Sequence, residues 1–136
     1  MTVRCALVFI FLLSGFSAEA APYVVGTWYG QGQPEDRHQM WLEHMLPNGA
    51  YDGLYRTCIK GKALDVFQTG SWSLDKDWIT IRLSTVNGYL SSRTDLYQTL
   101  SQGGKKWTYR YPRLGFVYSA ERVDDSFKLF SCEAIS

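Results

Sequence analysis

The sequence predicts an all-β fold, an antiparallel up-and-down barrel of about eight strands, and three observations carry that expectation. Turn signals recur about every 8 to 15 residues, among them Pro47-Asn48-Gly49, Lys60-Gly61-Lys62, Asn87-Gly88 and Gly103-Gly104. The runs between them are rich in Val, Ile, Thr, Tyr, Phe and Trp, whose branched and aromatic side chains pack well on a pleated surface. Within those runs apolar residues alternate: Ile79, Ile81 and Leu83 oppose Trp78, Thr80 and Arg82, and Trp107, Tyr109 and Tyr111 oppose Thr108 and Arg110. Each strand therefore has one face to bury.

In chain order the expected strands are 23–31, 38–46, 50–59, 64–74, 77–85, 95–102, 105–112, 115–123 and 126–133. Residues 35–45 could alternatively hold a helical turn, and the segments 31–38 and 86–95 read as the longer loops. Closing such a meander on itself buries every apolar face and removes exposed sheet edges. A β-sandwich is the alternative architecture.

Ahead of these strands stands a leader. Arg4 precedes an apolar run from Ala6 to Leu13, and small residues follow, ending in Ala18-Glu19-Ala20. Residues 1–20 thus read as a signal peptide and 21–136 as a single domain of about 116 residues, enough for one core. The apolar run falls short of the roughly 20 residues that a spanning helix needs, so no membrane span is expected and the location is periplasmic or secreted. Cys5 lies ahead of the apolar run, which argues against a lipid anchor there.

Export gives the remaining cysteines a meaning. Cys58 and Cys132 form an even pair in an oxidising compartment and are expected to bond. The 14 Lys and Arg nearly balance the 13 Asp and Glu, and Lys105-Lys106 is the one adjacent basic pair, so a nucleic-acid partner, which demands a basic stripe, is not expected.

Gly26-Thr27-Trp28 on the first strand, a meander of about eight strands, and the late Arg122 together resemble the lipocalin, or calycin, pattern. The resemblance implies that Trp28 closes the floor of the barrel and packs against Arg122, beside Gly26. The chain is shorter than typical lipocalins and has neither their C-terminal helix nor a T-D-Y motif, and so is most similar to small exported lipocalin-like bacterial proteins.

No catalytic signature stands out, and the expectation is a protein that is not an enzyme and needs no cofactor. His38 and His44, six residues apart on one strand, would stand roughly 20 Å from each other, too far to share a metal. His44 with Glu43 and Asp36 makes no convincing ligand set, no nucleophile sits in a strand-turn-helix elbow, and no glycine-rich phosphate loop opens a helix.

Binding is what remains. Aromatic residues make up 15 % of the chain, and several alternate with polar or charged groups, as in walls of sites for small amphipathic molecules. The candidate ligand contacts are Tyr55, Arg56, Trp107, Tyr109 and Tyr118, with an arginine suited to a carboxylate or phosphate head group. Tyr55 and Arg56 lie on opposite faces of their strand, so one of them at most looks inward. Two functions stay open: a carrier of a small apolar or amphipathic ligand, or a protein-binding module such as an inhibitor of an exported protease or lysozyme. The first needs a hollow barrel, and the second a presented loop.

Overall fold

A computed structural model describes residues 20–33 and 36–135. The expected leader lies outside the described residues apart from Ala20. The strands are β1 (Gly26–Gln33), β2 (Asp36–Met45), β3 (Ala50–Ile59), β4 (Lys62–Asp75), β5 (Trp78–Val86), β6 (Tyr89–Leu90), β7 (Thr94–Gly103), β8 (Lys106–Tyr111) and β9 (Phe116–Val123), followed by a 3-10 turn at Cys132–Ile135. Each pairs antiparallel with its neighbours, β4 pairs β5, and β9 returns to β1, so eight strands close into a barrel. The two residues of β6 fold back on the end of β5, with Thr85 facing Leu90.

Side-chain alternation decides what fills the barrel. Ile79, Ile81 and Leu83 are buried inside it, as are Trp107 and Tyr109, while Trp78, Arg82 and Arg110 face outward. Register carries this parity from strand to strand: Trp28 opposes Glu43, Trp41 opposes Tyr55, Ile81 opposes Asp95, and Tyr109 opposes Tyr118.

The chain entering β1 forms the floor. Residues 23–25, expected as strand, instead turn, with the Val25 amide donating to the Pro22 carbonyl at 3.0 Å. The turn places Val24, fully buried, below Trp28, whose indole nitrogen donates to the Val24 carbonyl at 2.9 Å. The Arg122 guanidinium lies 4.4 Å from the centre of the Trp28 ring and donates to the carbonyls of Val25 and Tyr23. Gly26 makes this possible: its φ of +138° is one that side-chain-bearing residues rarely adopt, and a Cβ there would stand 2.1 Å from Arg122 Nη1. The three residues of the expected motif thus meet at one end of the barrel.

Two further expectations are corrected. Segment 126–133 is not a strand, because β9 already pairs with β8 on one edge and β1 on the other, leaving no free ladder. It runs instead as a strap over the outside of the barrel. Thr27 donates to Asp125 at 2.6 Å, Tyr29 packs on Phe127 and Phe130, Arg56 donates to the Phe130 carbonyl, and Cys58 is bonded to Cys132. Met40 and Leu42, outward on β2 between those anchor points, are buried. The segment expected as a loop at 31–38 is largely strand, since β1 runs to Gln33, β2 begins at Asp36, and these two residues pair. The strand expected at 38–46 is found as β2, paired on both sides from Met40 to Met45, and not as the alternative helical turn.

The longest strand bends where it crosses from β3 to β5. At Gly70 a bulge shifts the register, and a Cβ would stand 2.0 Å from the Arg82 carbonyl oxygen, a backbone atom that cannot swing away. Gly70→Ala is therefore expected to destabilise the barrel by about 1–3 kcal/mol, as overpacking does. A urea midpoint unchanged from wild type would show that the bend has slack.

Candidate functional site

Above the floor the interior opens. A column of rings rises from Trp28 through Trp107, edge-on at 5.4 Å, to Tyr109 at 4.3 Å and Tyr118 at 5.7 Å. Beyond it a cavity of about 390 Å³ reaches the end of the barrel opposite the floor. Trp41, Tyr55, Tyr97, Tyr109, Tyr111 and Tyr118 form its walls, and Gln39, Arg93, Asp95, Arg113 and Leu114 complete the lining. Arg93, Arg113 and Leu114 are exposed and ring the mouth.

Glycines make room for the largest walls. A Cβ on Gly30 would stand 2.1 Å from the Trp41 ring, so the indole lies flat against β1 only because that side chain is missing. Gly53 does the same for Tyr51, whose hydroxyl would stand 2.5 Å from an added Cβ. Trp41 is buried and its indole nitrogen has no hydrogen-bond partner among the described residues.

Two acids are buried on the inner surface. Glu43, between Trp41 and Met45 on the inward face of β2, accepts hydrogen bonds at one carboxylate oxygen from Tyr55 at 2.5 Å and Tyr51 at 3.1 Å. Burial pushes its carboxyl above the ordinary range, the two tyrosine hydroxyls pull it back, and the Asp95 charge adds to the rise. Asp95 accepts from Arg93 Nε at 3.0 Å and from the Tyr111 hydroxyl at 3.2 Å. Burial first, and then the Glu43 charge, hold Tyr51, Tyr55, Tyr97 and Tyr109 well above their usual values, so their hydroxyls stay protonated.

Of the five contacts expected from sequence, Tyr55, Tyr109 and Tyr118 line the cavity together. Trp107 lies beneath it, buried in the floor with its indole nitrogen donating to Thr99 at 3.1 Å. Arg56 faces outside, paired with Asp65 through two contacts of 2.7 Å and tied to the strap. The arginines at the cavity are instead Arg93 and Arg113. Sequence reasoning missed these and Trp41, Glu43, Asp95 and Tyr97. Parity alone would have found four of them, since Trp41 and Glu43 share a face with Met45, and Asp95 shares one with Tyr97.

A second hollow, about 520 Å³, lies outside the barrel beside the disulfide, lined by His38, Thr57, Lys60 and both cysteines. It lacks converging rings. His44 also faces outward, 2.6 Å from Asp52, and among the described residues no three His, Cys, Asp or Glu gather as metal ligands. Among the described residues no helix is long and apolar enough to cross a membrane. No protein-family model matches the chain, and no curated protein matches it.

Proposed function

We propose that this small β-barrel is an exported binding protein that takes a small amphipathic ligand into its interior. The observation that carries the reading is the cavity: about 390 Å³, open at one end, walled by aromatic rings and supplied with a few convergent polar groups. Sites for small ligands commonly have that volume and that mix. Tyr55, Tyr109 and Tyr118 would contact the ligand from three strands, with Trp41 and Tyr97 completing the walls. The reading is of a binder and not an enzyme, because the lining among the described residues holds no serine, cysteine, histidine or lysine, and its one acid, Asp95, is engaged with Arg93 and Tyr111. Export is supported by the leader pattern and by the disulfide.

Tryptophan fluorescence gives the test. Titration with a panel of lipids and aromatic metabolites is expected to give a saturable change for at least one, and Trp41→Phe is expected to remove most of it. No saturable change for any member, together with no thermal shift, would sink the carrier reading.

One observation favours a second reading. Tyr89 and Leu90, at 80 % and 94 % exposure, project from the hairpin that carries β6, as a loop presented to a protein partner would. An inhibitor of an exported protease or lysozyme would use them. Pull-down from cell-envelope extract that is lost in Leu90→Asp, with the cavity filled or not, would favour it.

A further inference from the structure

We infer that the ligand of the cavity is an organic cation, an ammonium seated among the tyrosine rings with its charge toward Glu43 and Asp95. This rests on the ligand-binding reading above and names its chemistry.

The charges of the inner surface do not cancel. Asp95 has Arg93 at 3.0 Å, whereas Glu43 is bound only by neutral hydroxyls and has no cationic partner among the described residues. A buried carboxylate without a cation is costly, and an entering ammonium offsets that cost. Glu43 stands behind Tyr55, which donates to it at 2.5 Å, and Tyr55 lines the cavity. A carboxylate accepting from the hydroxyl makes that ring more electron-rich.

The rings are also disposed for a cation. Tyr97 and Tyr109 meet at 89°, Trp41 and Tyr118 at 84°, so faces and edges surround the space on several sides. An ammonium within about 6 Å of such faces is attracted by their quadrupoles, most strongly where water is excluded. The two arginines do not forbid it. Arg93 is committed to Asp95, and Arg113 is exposed at the mouth, where solvent screens it. An anionic head group pushed inward would meet Asp95 on the wall, with the Glu43 carboxyl behind Tyr55.

The groups facing Glu43 are Tyr51 and Tyr55 on β3, Asp95 and Tyr97 on β7, and Tyr109 on β8. Of these the tyrosines stay neutral. Since burial holds Glu43 above the ordinary carboxylate range, cation affinity should rise with pH as that carboxyl ionises and level off above it.

The test compares three probes of one size by calorimetry on the full mature chain: phenyltrimethylammonium, its neutral isostere tert-butylbenzene, and benzenesulfonate. The cation is expected to bind about tenfold or more tighter than the isostere, a difference in the range of a desolvated cation–π contact. Glu43→Gln, which keeps the shape, should remove most of that preference and flatten its pH dependence. If that variant fails to fold, the wild-type comparison still decides. Equal binding of cation and isostere, or preference for the sulfonate, overturns the cation while leaving a ligand-binding cavity. Binding of none overturns the cation, and the ligand-binding reading falls with it only if the lipid and metabolite panel also gives no saturable change.

Discussion

Replacing Trp28 by alanine should cost about 3–5 kcal/mol, the usual loss for truncating a buried aromatic side chain. Trp28 is 2 % exposed, packs edge-on against Trp107, and caps the floor under Arg122. The truncation would also orphan the buried Val24 carbonyl that the indole serves and remove a cation–π contact of about 0.5–2 kcal/mol. A domain of this size holds roughly 5–15 kcal/mol in total, so the variant should be marginal near room temperature. Trp28→Phe keeps most of the apolar burial and should lose clearly less. Arg122→Met, which keeps the stem but not the charge, isolates the guanidinium's share. Urea denaturation of the three variants checks the order; a Trp28→Ala midpoint close to wild type would mean that the floor is not part of the core.

The second large effect concerns the strap. Removing the disulfide with Cys58→Ser and Cys132→Ser should lower stability by about 4 kcal/mol, the loop-entropy value for cysteines 74 residues apart. The loss has a local part as well. Phe127 and Phe130 lie on Tyr29, and Met40 and Leu42 are buried on the same outer face, so a released strap uncovers an apolar patch on β1 and β2. The double variant should therefore bind a hydrophobic dye that the wild type ignores, below the concentration of denaturant that unfolds it. Equal denaturation midpoints with and without reductant would contradict the assignment of stability to the bond. Mass analysis of oxidised protein that finds two free thiols would remove the bond itself.

Much of this barrel was readable because alternation is a local signal. Ile79, Ile81 and Leu83 announce their face from within five residues of sequence, as do Trp107 and Tyr109, and in both cases the structure buries that face. The Trp28–Arg122 contact came from a motif, and the Cys58–Cys132 bond from cysteine parity. The strap is misread for a physical reason: Phe127 and Leu129 alternate like a strand, yet Phe127, with Phe130, packs on Tyr29 of an outer face already paired into a sheet. Local pattern does not reveal whether a ladder edge is still free. The site was only half legible for a similar cause. Tyr55, Tyr109 and Tyr118 are conspicuous rings, but Glu43 and Asp95 look like ordinary surface acids until register places them opposite Trp28 and Ile81.

The seam that closes the barrel also sets the order in which the chain can fold. Trp28 pairs with Arg122, so the first strand finds its second neighbour only when nearly the whole chain has been made. Until then the growing sheet has a bare edge at β1, and non-local closure of this kind places folding in the slower, millisecond-to-second class. An open edge of that sort invites pairing with another copy. Gly26, Trp28 and Arg122 thus mark the last zip as well as the floor, and a variant that weakens them should leave the sheet open for longer, raising yield losses to aggregation more than its equilibrium stability alone accounts for.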